Sequence, residues 1–150
     1  MERAASVAYV SSEQIPRLDD PGEAAGPGLL QDLASSKWDT QFKALNTVRS
    51  LALHHPAELT DRLLSDVVLA VVKLAASLRS SVSKNSLMTL NDMCAGLGTY
   101  LEPEMKPISH ILLKRAADHS NIFISAAANE ALISLADNAC KSITHFECTG

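Results

Sequence analysis

Apolar residues in this chain recur at intervals of three and four from about residue 28 onwards, and that spacing predicts helices rather than strands. Leu29, Leu30 and Leu33 form a short first stripe, closed by Ser35-Ser36. Trp38, Phe42, Leu45, Val48, Leu51 and Ala52 lie on one face of a helix over about 39–54, which Pro56 ends. The pairs Leu63-Leu64, Val67-Val68, Val71-Val72 and Leu74-Ala75 predict a helix over 58–77 with a stripe wide enough for burial on two sides. Val82, Leu87, Leu90, Met93, Cys94 and Leu97 define a fourth over 81–97, capped by Ser80 or Ser81 and ended by Gly96 and Gly98. Pro103 opens a fifth over 103–117, and Asn121 caps a sixth over 121–138.

Within this pattern one phrase returns three times. Ala44-Leu45-Asn46-Thr47-Val48, Ser86-Leu87-Met88-Thr89-Leu90 and Ala131-Leu132-Ile133-Ser134-Leu135 each place a small residue before Leu and an aliphatic three positions later. The leucines are 42 and 45 residues apart, the period of two-helix HEAT or armadillo units. The expectation is an all-α fold, an α-solenoid of about three HEAT-like helix pairs. Each pair contacts only its neighbours, so the end pairs leave apolar faces for the chain ends or further repeats to cover.

Residues 1–27 lack apolar periodicity and carry Pro16, Pro21, Gly22, Gly26 and Pro27, so they are expected to be a flexible leader. The helical domain is expected over 28–140 and a flexible tail over 141–150. Composition agrees with a tightly stacked aliphatic interior, since 47% of the chain is hydrophobic but only 4% aromatic. The net charge of −4 sits mostly in the leader; residues 28–140 hold eleven acids against ten bases. That balance gives no electrostatic case for nucleic acid. No apolar run is long enough for a membrane span, and Cys94, Cys140 and Cys148 read as reduced thiols of a cytoplasmic protein.

Little in the sequence points to catalysis. His54-His55 lacks companion metal ligands and reads as a solvated helix end. Gly96-Leu97-Gly98 lacks the strand and third glycine of a phosphate-binding turn. Asp118-His119-Ser120 contains triad residue types, but neighbours in one loop cannot adopt triad geometry, so a hydrolase there is the weakest reading. No enzyme activity, metal or cofactor is expected.

The turns inside the three pairs should line up along one edge. They are Ser35-Ser36-Lys37-Trp38, Leu78-Arg79-Ser80-Ser81 and Ala117 to Asn121, with Lys43 and Lys84 one turn further on. One large aromatic among several cations is the composition of a protein contact. Trp38 also has a purely structural reading, as a plug in the first pair.

The run from Leu33 to Leu45, LASSKWDTQFKAL, resembles the opening of TOG domains, in which a Trp precedes the second helix of the first HEAT repeat. Leu78 to Val82, Leu97 to Pro103 and Asn129 to Leu132 are similar to the second and third repeats of that class, nearest to the CLIP-associating and crescerin proteins. The match covers about 29–138, the first half of such a domain. It departs at Gln41, where the family often has Arg, and at Asp118 and His119, where a cation would suit acidic tubulin. The resemblance implies binding to tubulin or microtubules through the intra-repeat loops, and a location in the cytoplasm and cytoskeleton, including cilium or centrosome. It implies Trp38 as anchor, Arg79, Ser80 and Ser81 as a second contact and Asn121 in a third, with Lys37, Lys43 and Lys84 steering. The competing expectation is a HEAT or armadillo adaptor that binds a peptide or helix on its concave face.

Overall fold

The computed structural model describes residues 7–139. A four-residue helix α1 (Pro21–Ala24) precedes α2 (Pro27–Leu33), α3 (Trp38–His54), α4 (Asp61–Ala75), α5 (Ser80–Leu97), α6 (Met105–Ala116) and α7 (Ile122–Ser134). The described residues form no strand. Three pairs, α2 with α3, α4 with α5 and α6 with α7, stack into the expected all-α solenoid.

The second helices of the pairs run parallel and in one register. Phe42 meets Asn85, Arg49 meets Asp92 and Asn91 meets Ser134, and each pair of partners is 43 residues apart. A constant offset is what parallel helices in exact stacking require. The core between them is aliphatic, with Leu45, Val48, Leu51, Val82, Leu87, Leu90, Leu112 and Ala128 wholly inaccessible to solvent. Burying each such side chain contributes on the order of 1.5–3 kcal/mol.

The helix buried on two sides is α5, whereas the sequence pattern points to α4. In α4, Leu69 is exposed and Val72 half-buried. In α5 the second buried face is polar by residue type: Ser83, Ser86 and Thr89 are all inaccessible. Their hydroxyls donate to the carbonyls of Ala75, Val82 and Asn85 at 2.6–2.7 Å, so the positions that look solvent-facing are satisfied internally.

Two proline and glycine expectations also shift. Gly98, at φ 56°, ends α5, but Gly96 lies inside it. A Cβ on Gly96 would come within 2.0 Å of the Ala52 carbonyl oxygen, so Gly96 is where the backbones of α3 and α5 touch. Pro103 belongs to a 3-10 segment, Gly98–Glu104, and α6 starts only at Met105.

The largest correction concerns residues 7–27. A flexible leader is expected there, but residues 9–18 of it pack on α3, its C-cap His55 and α5. Ile15 is buried, the Ser50 hydroxyl donates to the Pro16 carbonyl at 2.6 Å, and Ser12 donates to Asp92. His54 Nε2 lies 2.8 Å from the Ile15 carbonyl, and the Leu18 amide donates to His55 Nε2 at 3.1 Å. The two imidazoles are therefore half-buried partners of this segment, not a solvated helix end. Residues 1–6 and the tail expected at 141–150, with Cys140 and Cys148, lie outside the described residues; Cys94 is buried in the core. On the last pair Leu113 and Ile133 are exposed, as an uncovered end face would have them.

Candidate partner-binding edge

Because α3, α5 and α7 are parallel, all three begin at the same edge. Their N-cap residues are Lys37, Arg79 and Asn121. Each preceding loop is shaped by one device, a side-chain oxygen accepting the amide two residues on: Ser35 from Lys37, Ser77 from Arg79, and Asp118 from Ser120, at 3.0–3.1 Å. In the first two loops the amide so held is that of the N-cap residue itself, whereas in the third it lies one residue before the cap.

The caps differ in chemistry. Lys37 and Arg79 make no side-chain cap hydrogen bond, so α3 and α5 present their positive ends together with a cation. Asn121 turns inward, and its Oδ1 accepts from the amides of Phe123 and Ile124 at 3.0 and 3.2 Å. The expected cap role of Asn121 is thereby met, and its carbonyl oxygen is occupied.

Trp38 stands first in α3, half-buried. Its ring meets Phe42 edge-on, with centroids 6.2 Å apart and planes at 86°, while the Arg79 guanidinium lies over it at 4.9 Å. The indole therefore packs partly on the core of the first pair while it carries an exposed arginine from the second repeat. Such a cation over an indole contributes about 0.5–1 kcal/mol at an exposed site. Trp38 and Arg79 share one rim.

Around them Lys37, Lys43 and Ser80 are exposed, and Lys84 is half-buried. Ser81 is the exception: only 8% accessible, it points into the stack one position after Ser80, so it is not part of the surface contact the resemblance implies. Sequence reading also missed two aromatic members. Tyr9 packs on Phe42 with ring centroids 5.7 Å apart and planes tilted by 48°, and the Lys84 ammonium sits 4.5 Å from the Tyr9 ring and 5.6 Å from that of Phe123. Phe123 lies two residues beyond Asn121 and is 68% exposed, a signal that its apolar neighbours in α7 concealed.

The Asp118 loop arranges its triad residue types for a turn. The Ser120 hydroxyl donates to the Asp118 carboxylate, as does the Ser120 amide, and no hydrogen bond joins His119 to Ser120 among the described residues. These two hydrogen bonds, the hydroxyl first, hold the Asp118 carboxyl below its ordinary value. Among the described residues no three His, Cys, Asp or Glu side chains converge as a metal site would need, and no helix is long and apolar enough to cross a membrane.

Known sequences place this architecture. The CLASP N-terminal family matches residues 32–149. Crescerin-like protein che-12 of Caenorhabditis elegans is 30% identical over 103 residues, which are 69% of this chain and 8% of that protein. TOG array regulator of axonemal microtubules protein 1 is 31% identical over 109 residues in Homo sapiens and 32% in Mus musculus, covering 73% of this chain and 6% of either relative. The chain thus spans only a small part of the curated relatives it matches. It belongs to the CLASP N-terminal family, and its three pairs correspond to part of a TOG domain.

Proposed function

From membership of this family we propose that the chain is a non-enzymatic, TOG-like HEAT module that contacts tubulin or microtubules through its intra-repeat loops and works on the cytoskeleton, the axoneme included. The observation that carries this reading is the stacking of Arg79 on Trp38 at 4.9 Å, which joins the first two loops into one basic and aromatic rim. Lys37 and Lys43 flank it. Trp and Arg are the residue types in which interface energy concentrates, and basic groups in open solvent accelerate approach to an acidic surface. The relatives' names, which speak of axonemal microtubules and a TOG array, support the same partner. The competing use, a peptide along the second helices, meets residues 7–18 of the chain itself on α3 and α5.

Co-sedimentation with microtubules and size exclusion with tubulin dimer test the proposal. Wild type should co-migrate, and Trp38→Ala should weaken binding by at least about 2 kcal/mol, with Arg79→Ala losing a smaller amount. Binding that survives both substitutions together would overturn the loop-edge reading.

A further inference from the structure

Next to the Trp38 rim lies a cleft of about 460 Å³ lined by Tyr9, Ser80, Lys84, Asn121, Phe123 and Ile124. Every polar side chain in its lining can donate. Lys84 brings an ammonium and forms no ion pair among the described residues, and Ser80 brings a hydroxyl. Because Asn121 Oδ1 is engaged by two backbone amides, its amide nitrogen is the free end. Helix α5 begins at this wall without a side-chain cap, which adds a partial positive charge. Burial raises the Tyr9 pKa, so its hydroxyl remains protonated.

The aromatic rings give this anion-seeking cleft its shape. Tyr9 and Phe123 flank the Lys84 ammonium at 4.5 and 5.6 Å and hold a flexible side chain in place. Tyr9 can do so because the segment that carries it is tied down by Ile15, Ser12 and Pro16 against α3 and α5. The residues that sequence reading set aside as a leader thus complete the edge.

We propose that the cleft between Tyr9 and Phe123 is a pocket for a glutamate side chain of an acidic peptide segment on the partner, with the carboxylate on Lys84 and its methylene stem against the exposed side of the rings. This rests on the reading that the loop edge faces a partner. The charge argues for an acid, and the rings argue for one carried on an apolar stem in preference to a bare anion. Charge-assisted hydrogen bonds from Lys84 and the Asn121 amide would fix the carboxylate.

The test uses the full chain and a short fluorescently labelled polyglutamate peptide, followed by anisotropy, with polyglutamine of equal length beside it. Wild type should bind polyglutamate in preference to polyglutamine, and more weakly as salt rises. Lys84→Gln should weaken binding about tenfold, the loss of one charge-assisted contact. Phe123→Ala and Tyr9→Ala should each weaken it several-fold, while Tyr9→Phe keeps it. Thermal unfolding of each variant reports whether the fold is intact. The pocket is wrong if polyglutamine binds equally, if folded Lys84→Gln binds as wild type does, or if inorganic phosphate displaces the peptide at matching concentration. Loss of peptide with retained tubulin binding in Lys84→Gln would leave the tubulin reading standing. Peptide binding by a wild type that ignores tubulin would uphold the pocket and end that reading.

Discussion

Two arginines bridge the first and second repeats, and they do opposite things. Arg49, in the middle of α3, is wholly inaccessible, and its Nε donates to Asp92 of α5 at 2.6 Å. Arg79, at the start of α5, reaches the other way, over Trp38 of α3, and stays in solvent. The interior pair surrenders hydration on both partners, and neither Nη1 nor Nη2 of Arg49 has a hydrogen-bond partner among the described residues. The rim pair surrenders almost none. A cation fixes the register of the stack in the first place and is left available to a partner in the second.

That contrast is broken most severely at Asp92. Asp92→Leu leaves the Arg49 guanidinium charged, buried and unpaired, and also removes the acceptor of Ser12, so it should destabilise the fold by about 3–5 kcal/mol in denaturant unfolding. Combining it with Arg49→Met should restore most of the loss, because a buried ion pair is often matched by apolar side chains of similar volume. A double variant no more stable than the single one would mean that Arg49 contributes through its packing and not through its charge.

Arg49 also shows what the sequence could not convey. The repeat period of 42 and 45 residues and the aliphatic spacing made the three pairs and the shared loop edge legible, since both follow from the 3.6-residue turn and the need of each pair to bury one stripe. Burial of Arg49, Ser83, Ser86, Thr89 and Asp92 was not legible, because polar residues carry no periodic signal when their partners lie in another repeat or one helical turn back. The same limit hid residues 7–18: their attachment runs through backbone groups of Ile15, Pro16 and Leu18 to Ser50, His54 and His55, and a backbone group has no signature in sequence. Of the edge, Trp38 and Arg79 were visible as residue types, Ser81 was misplaced by one helical position, and Tyr9 and Phe123 emerged only when three distant stretches met at Lys84.

The caps sharpen the comparison at lower energy. Asn121→Ala removes the acceptor of two amides at the start of α7 and should cost about 1 kcal/mol of stability. Arg79→Ala, at an N-cap whose side chain caps nothing, should lose only the exposed contact with Trp38, about 0.5 kcal/mol at the low end of such pairs, even while it weakens partner binding. Thermal melts of the two variants side by side decide this. An Arg79→Ala protein that melts as early as Asn121→Ala would show that its stacking on Trp38 serves the fold.

The smallest effect belongs to the third loop and is a matter of pH. The Ser120 hydroxyl and then its amide hold the Asp118 carboxyl below its ordinary value of 3.8, with Arg115 adding attraction at 3.3 Å. A carboxyl whose native pKa is depressed binds its proton more readily in the unfolded chain, so its contribution is complete at neutral pH. The contribution fades only as pH falls below the ordinary value and through the lower native one. Since the Asp118 side chain is only partly buried, screening keeps the gain modest, and the titration itself is the better readout. Carboxyl-detected NMR of the wild type should place the Asp118 midpoint below that of an ordinary aspartate, and Ser120→Ala should move it upward by removing the larger of the two hydrogen-bonding influences. The loop would then be a turn whose carboxylate is occupied internally, which separates it from the two cationic loops beside it. A midpoint at the ordinary value, unmoved by Ser120→Ala, would instead leave Asp118 an unengaged acid on the edge, opposed to the acidic partner proposed for Arg79 and Lys84.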